Sequence, residues 1–495
     1  MAEKSIKKNA VYSSLKAFLT LVFPLITFPY ASRILLPEGI GRVNFANSVV
    51  SYFILIASLG IGGYATREAA KLKHDKIALT KFFKEILFIN LVCSIIAYIL
   101  FLIALFFVPK FSEYRNLLLV CSIKIIISTM GIEWIYIANE EFRYITVRSF
   151  IFQFIGLGYL FTFVKTPDDI LHYAIFGMIS SVGSNLFNFI HVRKYIDVRQ
   201  KISFEVKKHL RSIVIFLGMA LITSIYTMLD TTMLGFLSSI DQVGFYSAST
   251  KLGHMVLGML TAITTVLLPR LSTYVQRGNM DSFKALSQKS ASIILLLSIP
   301  MMAGLFILAR PSVLLLSGQR YLPAIPVMQV ILPIIVIITL GSLVGGQILT
   351  AIGKEKISLY SCITGAVVNF TLNIIFIPKF GALGAAISTV VAEFMVTGIQ
   401  LMYVREYVIN RDFVVTFIES LFASLVMMIS IYFLLRKIDN LVLQIAISVI
   451  VGIIVYALIL FCFKNKIFME YLNKGITKLY NASIKPHNKR RGIKV

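Results

Sequence analysis

The chain has 495 residues, 58% of them apolar and only 14% charged, and its 48 lysines and arginines against 23 acidic residues give a net charge of +25. A water-soluble domain carries about 25% charged residues, so a soluble fold is excluded. The positive excess does not point to nucleic acid, because no basic, aromatic-rich soluble module exists to carry it. Short basic loops instead hold one side of a membrane protein in the cytoplasm and attract anionic lipid heads.

The apolar residues come in runs of about 20, the length that crosses roughly 30 Å of hydrocarbon. Fourteen spans are predicted. The first six lie near 10–35, 43–65, 86–108, 115–138, 144–164 and 170–192. The next six lie near 210–237, 243–270, 286–309, 324–352, 357–377 and 381–403, and two more near 414–435 and 441–463. The first run is too long for a signal-peptide core and lacks a small-residue cleavage site, so it reads as the first membrane helix. With both termini in the cytoplasm, 35 lysines and arginines fall in inner loops and 10 in outer ones. That bias supports an even span number.

The stretch 23–53 joins the first two spans. Pro24 and Pro29 interrupt the first, and a proline removes a helix hydrogen bond and bends the axis, so both are candidate hinges. Arg33, Pro37, Glu38, Gly39, Gly41 and Arg42 are expected to form the turn. Asn44, Asn47, Ser48 and Ser51 then place polar groups in the second span. VNFANS (43–48) is similar to VGFYSAS (243–249), and HVRKY (191–195) to YVREY (403–407), at offsets of 200 and 212. Chance similarity of such short strings is the alternative to duplication, but the matching positions and offsets favour two blocks of six spans entering from the same side, a parallel repeat. The expected fold is an all-α polytopic membrane protein with two six-helix lobes related by a pseudo-twofold along the membrane normal. The lobes are 1–192 and 210–407, joined by a basic cytoplasmic linker at 193–209. Spans 13 and 14 occupy 408–463, and 464–495 is a basic cytoplasmic tail.

Charges inside hydrocarbon are costly and usually face an interior cavity. Lys16 shares a face with Tyr12, Phe23 and Thr27, and either enters a cavity or snorkels to the headgroups. Lys124, with Ser128, is a weaker candidate in span 4, and Glu133, beside Trp134 and Tyr136, reads as interfacial. In span 7, Thr223, Thr227 and Asp230 share a face. In span 8, Ser247, Lys251, His254 and Gly258 do the same. Lys251 is therefore an ion-pair partner of Asp230, a cavity cation meeting an anionic substrate, or a snorkelling side chain. Arg33 and Arg42 would flank the outer mouth of a gap between spans 1, 2, 7 and 8, with Arg67 and Arg270 at its inner ends. Asn369, Asn373 and Glu393 either hydrogen-bond between helices or couple to an ion. Cys93, Cys121, Cys362 and Cys462 lie in apolar runs without metal-ligand spacing. No P-loop, nucleophile elbow or metal cluster is present, so neither an enzyme nor a cofactor is expected.

FPYASRILLPEGIGRVNFANSVVSYF (28–53), LGIGGYATREAAK (59–71), LLPRLS (267–272) and GAAIST (384–389) resemble Wzx-type O-antigen and capsule flippases of the multidrug/oligosaccharidyl-lipid/polysaccharide exporter superfamily. The resemblance implies a cargo of undecaprenyl-pyrophosphate-linked oligosaccharide, turned to the outer leaflet of the bacterial inner membrane. It also implies drive by a proton or sodium gradient, with a polysaccharide polymerase next in line. On that reading Lys16, Arg33, Arg42, Lys251 and Arg270 meet the pyrophosphate. Asn44, Asn47, Ser51, Ser247 and His254 line the cavity, Asp230 and Glu393 couple the ion, and Pro24 and Pro29 bend. A lipid II flippase, a multidrug cation exporter and a polysaccharide polymerase or ligase are the rival readings. The exporter should have an acidic cavity, and the polymerase a long external loop.

Overall fold

The structure, a computed structural model, describes residues 6–474 other than 198 and 202. The side chains of Thr223 and Thr227 and the tail from 475 onward lie outside the described residues. Among the described residues the regular structure is helical, with no strand. In chain order the helices begin with α1 (Ile6–Ser58), α2 (Ile61–Leu72), α3 (Lys76–Phe107), α4 (Pro109–Glu113) and α5 (Arg115–Thr129). They continue with α6 (Glu133–Ala138), α7 (Phe142–Phe163), α8 (Ile170–Val182), α9 (Asn188–His191), α10 (Lys207–Leu237) and α11 (Ile240–Thr265). Next come α12 (Leu268–Gln276), α13 (Met280–Ile307), α14 (Ala309–Ser317), α15 (Ala324–Ile331) and α16 (Ile334–Gly341), which runs into a π-helix, Ser342–Leu349. The last are α17 (Glu355–Phe380), α18 (Ala382–Val408), α19 (Arg411–Leu435) and α20 (Leu441–Cys462).

Among the described residues, twelve helical stretches are long and apolar enough to cross a membrane. The first, Val11–Leu72, is broken internally and holds the first two expected spans. α10 covers the seventh, and the other eleven stretches fall one to one on the remaining spans. All fourteen predicted spans therefore lie on helix, and the chain is a multi-pass membrane protein.

The side chains are arranged as lipid demands. On α3, Leu91, Ile95, Ile99, Ile103 and Phe107 recur every four residues and are exposed, while Ile86, Ile89, Ala97, Phe101 and Leu105 are buried. Four-residue spacing places the exposed set on one stripe, an apolar face suited to acyl chains. Helix starts are fixed by short polar side chains. Asp75 accepts from the Ile77 and Ala78 amides, Asn410 from Phe413, and Asn440 from Val442 and Leu443, each satisfying amides that have no intrahelical partner.

The chain divides into two compact units. The first comprises Met1–Lys251, Val313–Val327 and Cys362–Ala392, and holds the residues discussed most below. The second comprises Leu252–Ser312, Met328–Ser361 and Glu393–Val495. Its core packs α13 on α19 and α19 on α20. The buried faces there are rich in small side chains: Ser290, Ala291 and Ser298 on α13, Ser420, Ala423 and Ser424 on α19, and Ser448 and Gly452 on α20. Small residues let helix backbones approach closely where no hydrophobic drive separates helix from lipid.

Candidate functional site

The expected turn between the first two spans is sharper than its sequence suggests. One residue, Leu36 (φ 61°, ψ 178°), leaves the helical region, and α1 resumes at once. Pro37 then stands at the first helical position, where its missing N–H is no loss, and Glu38 lies at the positive end of the new helix dipole. Gly39, Gly41 and Arg42 are thus helical rather than part of a loop, and the backbone also stays helical through Pro24 and Pro29.

This break packs against the start of α11. A Cβ at Gly41 would stand 2.1 Å from the Ile240 carbonyl oxygen, and one at Gly244 would stand 2.1 Å from that of Pro37. Only glycine allows both approaches. Further along, Phe45 packs edge-on against Phe236 at 5.4 Å, over Gly235. The Thr232 hydroxyl donates to Ser48 Oγ at 2.9 Å. These contacts hold the second half of α1 beside α10.

The expected cations fall into two groups. Lys16 is ion-paired with Glu133, both side chains about one-third exposed. Glu133, read as interfacial from the sequence, is thus the counter-charge of Lys16. Arg42 pairs with Glu38 at 2.6 Å and lies 5.9 Å from the Tyr114 ring. Arg33 donates to the Pro29 carbonyl at 2.9 Å and to that of Leu315, in the last turn of α14, so it caps helix ends. Arg270 is exposed at the start of α12, and Arg67 bonds to Glu68 at 3.0 Å.

Of the three lysines singled out within spans, Lys124 and Lys251 have no acidic partner among the described residues. Lys251 is half-buried, with Nζ 5.2 Å from the centre of the Phe28 ring, a cation–π contact. Lys124 is half-buried on α5 and donates to Asn47 Oδ1 at 2.6 Å. The sequence marks Lys124 as a weaker candidate and does not reveal its partner, 77 residues away. Asn47 was singled out, yet nothing in the sequence links the two.

The ion pair between Lys251 and Asp230 weighed from the sequence does not form. Asp230, 6% exposed, is held instead by neutral donors. Its Oδ1 accepts from Asn373 at 2.7 Å and Asn369 at 3.1 Å, and its Oδ2 accepts from Tyr246 at 2.6 Å and from Thr389. No cation pairs with it among the described residues. Asn373 Oδ1 is buried without a partner. The four-residue spacing of Asn369 and Asn373 was legible. Tyr246 and Thr389 stand within two singled-out motifs, but their convergence on Asp230 was not.

The other expected residues lie on α1, α11 and α18. Asn44 and Ser51 are half-buried on α1, and Ser247 bonds its own helix at the Val243 carbonyl, 2.8 Å away. His254, exposed on α11, and Glu393, half-buried on α18, belong to the second unit.

The comparison with known families decides the family. Residues 6–275 match the family described as polysaccharide biosynthesis protein. The chain belongs to that family. Residues 215–375 also match the MatE family. The "Putative O-antigen transporter" of Escherichia coli (strain K12) is 25% identical over 411 residues, covering 81% of this chain and 97% of that protein. The capsular polysaccharide biosynthesis protein CapF of Staphylococcus aureus is 22% identical, covering 78% and 96%. Among solved structures, the lipid II flippase MurJ in an inward closed conformation superposes with a TM-score of 0.74 at 18% identity, over 92% of this chain and 99% of that one. An inward-facing multidrug resistance MATE family transporter superposes at 0.61 and 15% identity, over 80% and 97%. The resemblance to Wzx-type flippases of the exporter superfamily, read from the opening motif, is borne out for family and fold.

Proposed function

We propose that this protein of the polysaccharide biosynthesis family is a flippase, a transporter rather than an enzyme. It turns undecaprenyl-pyrophosphate-linked oligosaccharide repeat units from the cytoplasmic to the outer leaflet of the bacterial inner membrane. The observation that carries the reading is the pair Lys124 and Lys251. Both are lysines in membrane-spanning helices of one unit, and neither has an acidic partner among the described residues. A cation in hydrocarbon without a counter-ion is expensive unless function requires it. A multiply anionic pyrophosphate supplies the missing charge, and its polyprenyl tail stays in lipid. The curated relatives named for O-antigen transport and capsular polysaccharide support this cargo class.

Drive comes from the Asp230 cluster. Its buried carboxylate is held by two amide N–H groups and two hydroxyls; a proton or a hard cation such as sodium would replace some of those donors, and binding there favours whichever conformation holds the ion better. The two six-helix blocks, 1–192 and 210–407, then alternate access, both termini being cytoplasmic. The test is surface polysaccharide at normal protein level. Lys251→Ala and Lys124→Ala should each lower it by about tenfold or more, the effect of roughly 1.4 kcal/mol. An unchanged level in both variants removes the cationic mechanism.

A further inference from the structure

A third anion-seeking cation lies elsewhere in the first unit. Arg148 stands on the second turn of α7 and is only 6% exposed, yet its Nε and Nη1 are buried without a hydrogen-bond partner. Its guanidinium stacks 5.5 Å from the Tyr144 ring centre. Arginine stays charged in proteins, and buried donors left empty are costly, so the arrangement is built to receive an acceptor.

Arg148 borders a groove of about 530 Å³ whose polar end also carries Arg143 and Lys194. Two carboxylates lie near, and both are engaged. Glu133 is paired with Lys16, and Glu141 is bonded to Tyr195 and, at 3.2 Å, to Lys194. The net charge of that end is positive. Beyond it, Val147, Ile151 and Ile155 line the groove. They recur every four residues along α7 and are all exposed, so the groove continues as an apolar stripe about 12 Å long at 1.5 Å per residue.

We propose that this groove binds an anionic phospholipid. The phosphate sits on Arg148 between Arg143 and Lys194, and an acyl chain lies along Val147, Ile151 and Ile155. In the orientation given above the polar end faces the cytoplasmic leaflet, where such lipids attract basic residues. The apolar floor argues for a lipid over free phosphate.

The test is native mass spectrometry of the full chain with phosphatidylglycerol and with phosphatidylcholine of the same acyl chains. The wild type should retain phosphatidylglycerol about tenfold better, as a charge-assisted contact allows. Arg148→Gln should abolish the preference, and Ile151→Trp, which fills the floor and leaves every cation, should lower retention of both lipids. If Arg148→Gln fails to fold, Arg143→Ala with Lys194→Ala, at two exposed positions, should cut the preference severalfold. Equal retention of the two lipids by the wild type overturns the proposal, as does undiminished preference in the folded variants. Displacement of phosphatidylglycerol by equimolar glycerol phosphate, or by a polyprenyl pyrophosphate at lower concentration, overturns it too, because the occupant would then be a free phosphate or the cargo.

Discussion

At the scale of single residues, the decisive fact is which charges are spoken for. Depth in a span, read from the sequence, points to Lys251 and Lys16 and puts Lys124 below them. Only the fold separates them, because the partner of Lys16 lies 117 residues away and that of Lys124 lies 77 away. Helix periodicity reports faces within an element and nothing about what a face meets. Asp230 shows the same limit: the sequence marks it as a charge inside a span, with a Lys251 pair as one of three readings, but does not show the four neutral donors that hold it. Asp230→Asn keeps the side-chain size and removes the charge, so the protein should still fold. Ion uptake by vesicles carrying it should lose its response to a substrate gradient, and surface polysaccharide should fall with it. Retained uptake in a folded Asp230→Asn protein would move coupling elsewhere.

At the scale of elements, the linker that the sequence presents as a basic tether is strapped down. The Lys84 side chain donates to the Gln200 carbonyl at 2.5 Å, and the Asp197 amide to Thr80 Oγ1 at 3.0 Å. Fully buried Glu85 accepts from the Glu205 amide and contacts His209 Nε2, both at 2.9 Å, while His209 Nδ1 meets the Tyr64 hydroxyl at 2.7 Å. Glu205, in the linker, is itself held by Lys81 at 2.6 Å and Lys208 at 3.2 Å. The hydrogen bond from Lys81, then that from Lys208, keeps its carboxyl below the ordinary 4.5. A depressed carboxyl pKa contributes hold that is complete above the unfolded value and is lost as pH falls through the folded one. Protease cleavage between residues 197 and 209 should therefore rise on acidification below about 4.5, and Glu85→Ala should raise it already at neutral pH. Charge counting put these residues on one side of the membrane, but it could not show that acidic side chains on α3 and in the linker itself fasten them.

At the scale of the whole molecule, hydropathy carried most of the fold. Fourteen apolar runs became helical segments because a span must satisfy its own backbone in lipid, and that requirement leaves helix as the only local choice here. The exposed stripe on α3 gives a direct check. Ile99→Asp puts a charge at the middle of that face, at a cost of about 2.5–3.5 kcal/mol for insertion, and should reduce the amount of protein in the membrane fraction. Ala97→Asp, on the buried face, should fail more completely.

The reciprocal contact of Gly41 and Gly244 has a mechanical meaning. Where helix turns meet through bare backbone, no side chain can swing aside to admit a water molecule or a sugar. Such a seam parts only when both helices move bodily. On the transport proposed above, cargo would pass between these two helices only when they separate as whole bodies.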